Sequence, residues 1–196
     1  KVGDKLFNLP SPIETAMLIE EIGGDFMEQL MSPAPDATKD STKNAQAMNL
    51  GVYGADLGYA LIYNQSQKAS TLLANCKKLG GELGISPSLY TTLMKRFENN
   101  MGNRDSLLIM IAQLNSLCDE YLKENESEDI SALILYGGWV ESLYFTTQLT
   151  AQMNDTKLRS RVGEQKNSLE NLIGLIDQSN LNGDLDGIIE DLKELK

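Results

Sequence analysis

Apolar residues recur along the chain with a period near 3.6, and Gly, Pro and Ser-Pro interrupt them at intervals that suit helices packed as antiparallel neighbours. Ser11-Pro12-Ile13-Glu14 reads as a capping box with proline at the first helical position, so a helix should begin at Pro12. Gly23-Gly24 loosens it, and a short continuation is expected through Phe26, Leu30 and Met31 before Ser32-Pro33-Ala34-Pro35-Asp36 forces a loop. A long helix follows from about Thr42 to Asn64. Ser66 is placed as the cap of a third helix ending at Gly84. Ser86-Pro87 opens a fourth through about Met101, and Asn103 or Asp105 caps a fifth, in which Leu107, Met110, Ile111, Leu114, Leu117, Cys118 and Tyr121 keep a 3.6 period. Helices are also expected from Ile130 to about Met153, from Asp155, and across Leu185, Ile188, Ile189, Leu192 and Leu195.

No stretch alternates apolar and polar residues for long, so the pattern predicts an all-α, single-domain bundle of about seven or eight helices over residues 1–196. Residues 1–10 read as an extended segment after a removed signal or linker, because the chain starts at Lys1, and 184–196 as a C-terminal helix. Two helices, around Tyr53 and Tyr136, are apolar nearly all round and should be central. They also look alike: Leu50-Gly51-Val52-Tyr53-Gly54-Ala55 aligns with Leu133-Ile134-Leu135-Tyr136-Gly137-Gly138 at a constant offset that runs on to Gln65 against Gln148. This suggests three-helix pseudo-halves of about 11–84 and 103–179. Each glycine costs about 1 kcal/mol of helix propensity against alanine, and so marks a place where another backbone should come close.

Composition narrows the function. Hydrophobic residues form 41% and charged residues 23% of the chain, a globular balance. The 28 acidic against 17 basic side chains give −11, which disfavours nucleic acid and anionic membrane surfaces. No apolar run reaches the roughly 20 residues that span a bilayer. Histidine is absent, which removes the commonest general base and metal ligand, and no phosphate-binding or dinucleotide glycine loop appears. No cofactor is expected. Cys76 and Cys118 both fall on apolar stripes and read as buried thiols acting as small hydrophobes; a disulfide would need their helices adjacent.

Two carboxylates stand out. Asp56 is the only charge between Asn44 and Gln65, and Glu141 the only one between Ile130 and Gln152. On helices buried all round, each needs a partner, because an unpaired ionised group in the interior costs several kcal/mol. The tyrosine hydroxyls, helix N-terminal N–H groups, Arg96 and Arg104 are the available donors. The structural reading is a satisfied core carboxylate fixing helix register. The functional reading is a cleft in which Asp56, Glu141, Tyr53, Tyr59, Tyr136 and Tyr144, walled by Trp139, hold a cationic or polar ligand, or a metal. Asn182, Asp184 and Asp186 imitate the first half of a calcium loop, but Lys193 occupies the position of its bidentate carboxylate, so no metal is expected there.

The run from Asn49 to Tyr59, the segment Arg96-Phe97-Glu98-Asn99-Asn100-Met101-Gly102-Asn103-Arg104-Asp105-Ser106-Leu107-Leu108 and Gly137-Gly138-Trp139-Val140-Glu141-Ser142-Leu143-Tyr144 together resemble uncharacterised helical lipoproteins of Bacteroidetes. The resemblance covers most of the chain. It implies a periplasmic or outer-membrane location, with any membrane attachment through an N-terminal lipid anchor, and no established activity. The expectation is therefore a non-catalytic cell-envelope domain that binds a protein or small-molecule partner. An enzyme using Asp56 and Glu141 as an acid–base pair, and a structural oligomer that donates its C-terminal helix, are the alternatives.

Overall fold

The computed structural model describes residues 11–33, 42–100, 102–180 and 182–196. The expected N-terminal segment 1–10 and the loop positions Ala34, Pro35 and Asp36 lie outside them. Eight α-helices and one short 3₁₀ turn account for most of the described chain, with no strand among those residues. They are α1 (Pro12–Glu21), α2 (Lys43–Ile62), α3 (Ser66–Glu82), α4 (Pro87–Asn99), α5 (Arg104–Glu124), α6 (Glu128–Met153), α7 (Thr156–Ser179) and α8 (Asp186–Glu194). The all-helical bundle predicted from periodicity is the fold observed.

Most helix starts form where the local chemistry asks for them. The Ser11 hydroxyl accepts from Ile13 N at 3.2 Å and Ser11 N donates to Glu14, completing the capping box. Thr42, Asn103 and Asp155 cap α2, α5 and α7 through their side-chain oxygens. Ser66 differs from expectation. It is the first residue of α3 rather than its cap, Gln65 precedes it, and no side chain caps that end. The continuation after α1 is a single 3₁₀ turn, Glu28–Leu30, since Gly23 at φ 79° turns the chain away first.

The centre is the pair α2 and α6. Met48 lies against Gly137, Gly51 against Ile134 and Gly138, and Tyr59 against Phe145, so the partners advance together and the helices run parallel. A Cβ built on Gly137 would sit 1.9 Å from Met48 O, and one on Gly51 would sit 2.0 Å from Ile134 O. Only glycine lets the two backbones meet. Gly54, in the same motif, has nothing within 4 Å of such a Cβ. α3 follows α2, and α7 follows α6, through short turns. Of the helices that precede each, α1 runs with the central pair, from Pro12 beside Gly138 to Gly24 beside Met153. α5 runs against it, from Arg104 paired with Glu20 to Asp119 bonded to Ser131. The likeness between the two apolar segments thus corresponds to the hairpins α2–α3 and α6–α7.

Apolar side chains from all eight helices close the core, with α2 enclosed almost completely from Ala55 to Ile62 and α6 exposed at Leu135 and Tyr144. The helix α8 folds back on α7 within the chain, burying Ile189 and Leu192. Among the described residues no helix is long and apolar enough to cross a membrane.

The backbone contact carries a stability prediction. Gly51→Ala or Gly137→Ala should cost about 2–3 kcal/mol, because the crossing must spread to admit a methyl group. Gly163→Ala, at an exposed position of α7 with open space around it, should gain up to about 1 kcal/mol from helix propensity alone. Urea denaturation of the three variants measures the contrast; equal effects at all three sites would refute the close crossing.

Candidate functional site

The parallel register of α2 and α6 brings the two lone carboxyl groups together. Asp56 is wholly buried and Glu141 nearly so. They lie within hydrogen-bonding reach of each other. Their other partner is Ser32, on the segment between the 3₁₀ turn and α2: its N–H donates to Asp56 Oδ2 at 3.1 Å, and its hydroxyl donates to Glu141 Oε1 at 3.4 Å. Asp56 Oδ1 has no donor among the described residues. Two ionised carboxylates would leave that oxygen unsatisfied and repel each other, whereas one proton held between the acids relieves both penalties. Burial and the neighbouring Glu141 push the Asp56 carboxyl up to about 8, and burial pushes Glu141 up to about 7. The pair therefore carries a shared proton at neutral pH.

The expected donors are elsewhere. Arg104 makes a two-pronged ion pair with Glu20, both contacts at 2.7 Å, tying α5 to α1, and Arg96 bonds Gln113. Tyrosines serve the same crossing segment instead of the acids. Tyr53 donates to Pro33 O at 3.1 Å, Tyr63 donates to Gly24 O at 2.5 Å, and the Tyr59 hydroxyl accepts from Met27 N at 3.0 Å. Residues 24–33 are thereby strapped across α2 by three tyrosines and two acids, with Glu28 paired to Lys68 outside. Tyr136 is remote, its hydroxyl raised by burial and by Asp191 of α8, and Tyr144 is exposed. Ser32 was the partner sequence reading missed. Nothing in a serine before a proline announces a contact with residues 24 and 109 positions away.

A separate cavity opens on the other side of α2. It has a volume of about 310 Å³ and lies between α2, α5 and α6, with the start of α1 at one edge and Cys76 of α3 and Tyr90 of α4 on its wall. Leu50, Leu57, Ile111, Leu114, Ile134 and Trp139 make it predominantly apolar, and the space beside Gly54 belongs to it. Trp139 is the one proposed ligand residue on this wall, its indole N–H donating to Gln165 Oε1 at 2.8 Å. Asp56 and Glu141 do not line it. The acid–base alternative thus has neither of its residues where a small molecule could reach them by this route. Asn115 and Leu135, both exposed, mark where the cavity meets solvent.

Cys76 and Cys118 are free thiols and share the cavity wall. Burial pushes the Cys76 thiol up to about 12 and raises Cys118 as well, so both are neutral and weakly nucleophilic. At the calcium-like segment, Asn180 Nδ2 donates to Asp186 Oδ1 at 2.6 Å and Leu185 N donates to Asn180 Oδ1 at 3.0 Å, so Asp186 is engaged in a turn that starts α8. Among the described residues no group of three acidic or thiol side chains could hold a metal ion. No protein family, no curated protein and no solved structure matches the chain, which leaves its function to be argued from these sites.

The acid pair fixes a pH dependence. The unfolded carboxyls release their protons near pH 4, while the folded pair releases its protons only at about pH 7 to 8. Between those limits the folded state binds more protons, so stability should fall as pH rises from about 4 to 8, by a few kcal/mol in all, and level off above. Asp56→Asn, which can accept from Ser32 and donate to Glu141, should flatten that decline. Denaturant midpoints measured from pH 4 to 9 decide it; equal slopes in the two proteins would exclude the shared proton.

Proposed function

We propose that this chain is a non-catalytic binding domain that holds a small, mostly apolar molecule in the cavity between α2, α5 and α6. The observation that carries the reading is a 310 Å³ cavity, walled by leucine, isoleucine and tryptophan side chains with a few polar groups. Cores normally keep few voids larger than a water molecule, and ligand sites typically start near 300 Å³ with this kind of lining. An apolar cavity of about 150 Å³ already accommodates benzene. The present one is about twice that size. The buried thiols supply no catalytic nucleophile, and the acid pair is engaged in holding the 24–33 segment. The cell-envelope setting rests on the resemblance of the α2 and α6 segments to helical lipoproteins, and is part of the same proposal.

The test is whether a small aromatic raises the melting temperature of the chain. Ethylbenzene should raise it saturably, because a ligand bound only by the native state stabilises it in proportion to the logarithm of its concentration. Gly54→Leu fills the cavity without meeting another atom at its Cβ, and should abolish the rise while leaving the helical circular dichroism unchanged. Absence of any rise in the natural chain would contradict the reading.

A further inference from the structure

Three polar groups from three helices meet on the inner wall of the cavity: Cys76 of α3, Tyr90 of α4 and Cys118 of α5. Tyr90 is 1% exposed. Its ring reaches inward because residue 80 of α3 is glycine; a Cβ there would stand 2.4 Å from the phenol oxygen. The only hydrogen-bonding contact of that hydroxyl among the described residues is the Cys118 thiol at 3.9 Å, and sulfur is a weak partner. A buried hydroxyl is costly when its proton has no good acceptor, and such a proton on a cavity wall is the feature by which binding sites orient an otherwise apolar guest.

Burial raises the Tyr90 hydroxyl and both thiols, so all three stay protonated and this wall carries no charge. Asp119 is the one charged lining residue, and it is already occupied, accepting from Ser131 Oγ at 2.5 Å and from Lys123 Nζ at 2.5 Å. A charged guest would therefore lose its hydration without gaining a free counter-charge.

Resting on the cavity reading above, we propose that the natural ligand is a small neutral molecule with an apolar body and a single hydrogen-bond acceptor, a carbonyl or ether oxygen, that takes the Tyr90 O–H. Tyr90 sets the orientation of the guest, and the leucine and isoleucine wall supplies most of the affinity.

Ethylbenzene and acetophenone are nearly the same shape and differ in one carbonyl. Calorimetric titration of both into the natural chain and into Tyr90→Phe isolates the contact. Removing the hydroxyl should weaken acetophenone by about 3- to 10-fold, the worth of one hydrogen bond, and change ethylbenzene by less than about 2-fold. An equal change for both ligands, or none for acetophenone, overturns the assignment to Tyr90. Should Tyr90→Phe not fold, the infrared carbonyl stretch of acetophenone bound to the natural chain replaces it. A shift to lower frequency than in hexane is expected, and a hexane-like band overturns the assignment. Failure of ethylbenzene to bind the natural chain would instead sink the cavity reading itself.

Discussion

Everything in this bundle is arranged around the contact of two helix backbones. Where α2 and α6 cross, glycine at 51 and 137 leaves no side chain between them, and Met48 O and Ile134 O occupy the space a methyl group would need. Each glycine is unfavourable in a helix by about 1 kcal/mol, and the close approach offsets that cost by dispersion contacts along both rods. Because the helices are parallel and locked at this point, residues further along are placed together without choice. The two acids meet, Tyr59 packs against Phe145 with tilted rings whose centroids are 4.8 Å apart, and the remaining helices wrap what is left uncovered.

The same contact explains why the acids and the cavity are separate. Asp56 and Glu141 project towards the segment 24–33, where Ser32 supplies an N–H and an O–H. Gly54 projects the other way, towards α5, and its missing side chain is part of the empty space. One side of α2 is thus a polar lock closed by a proton, and the other an apolar hollow. The lock holds the crossing segment down; the hollow is the site proposed for a ligand. Replacing the lock by apolar residues of similar size would be expected to leave the helices in place, since buried acid pairs serve specificity more readily than stability.

Much of this could be read from the chain. The capping box at Ser11, the period of α5 apart from the exposed Leu117, Gly51 and Gly137 at the backbone contact, and the isolation of Asp56 and Glu141 on apolar helices are local signals that correspond to features of the fold, whereas Gly54 meets no backbone. What could not be read depends on contacts distant in sequence. The two acids partner each other because α2 and α6 run parallel, which no local pattern encodes; composition alone offers tyrosines and arginines as the donors. Arg104 was taken by Glu20, on a helix 84 positions earlier. The cavity was illegible for a different reason: it is a shortage of volume filled by six helices, and Tyr90 reaches it only because Gly80 stands opposite. A hollow has no residue of its own to be recognised by.

The central claim is that the side of α2 bearing Gly54 borders a dry, accessible hollow. Crystals of the chain equilibrated with xenon would test it most directly, because xenon enters apolar cavities and ignores polar ones. The account predicts a strong xenon peak between Gly54, Cys76, Tyr90 and Leu114, with none beside Asp56 and Glu141. A hollow that is closed, or filled by hydrogen-bonded waters under xenon pressure, would contradict it.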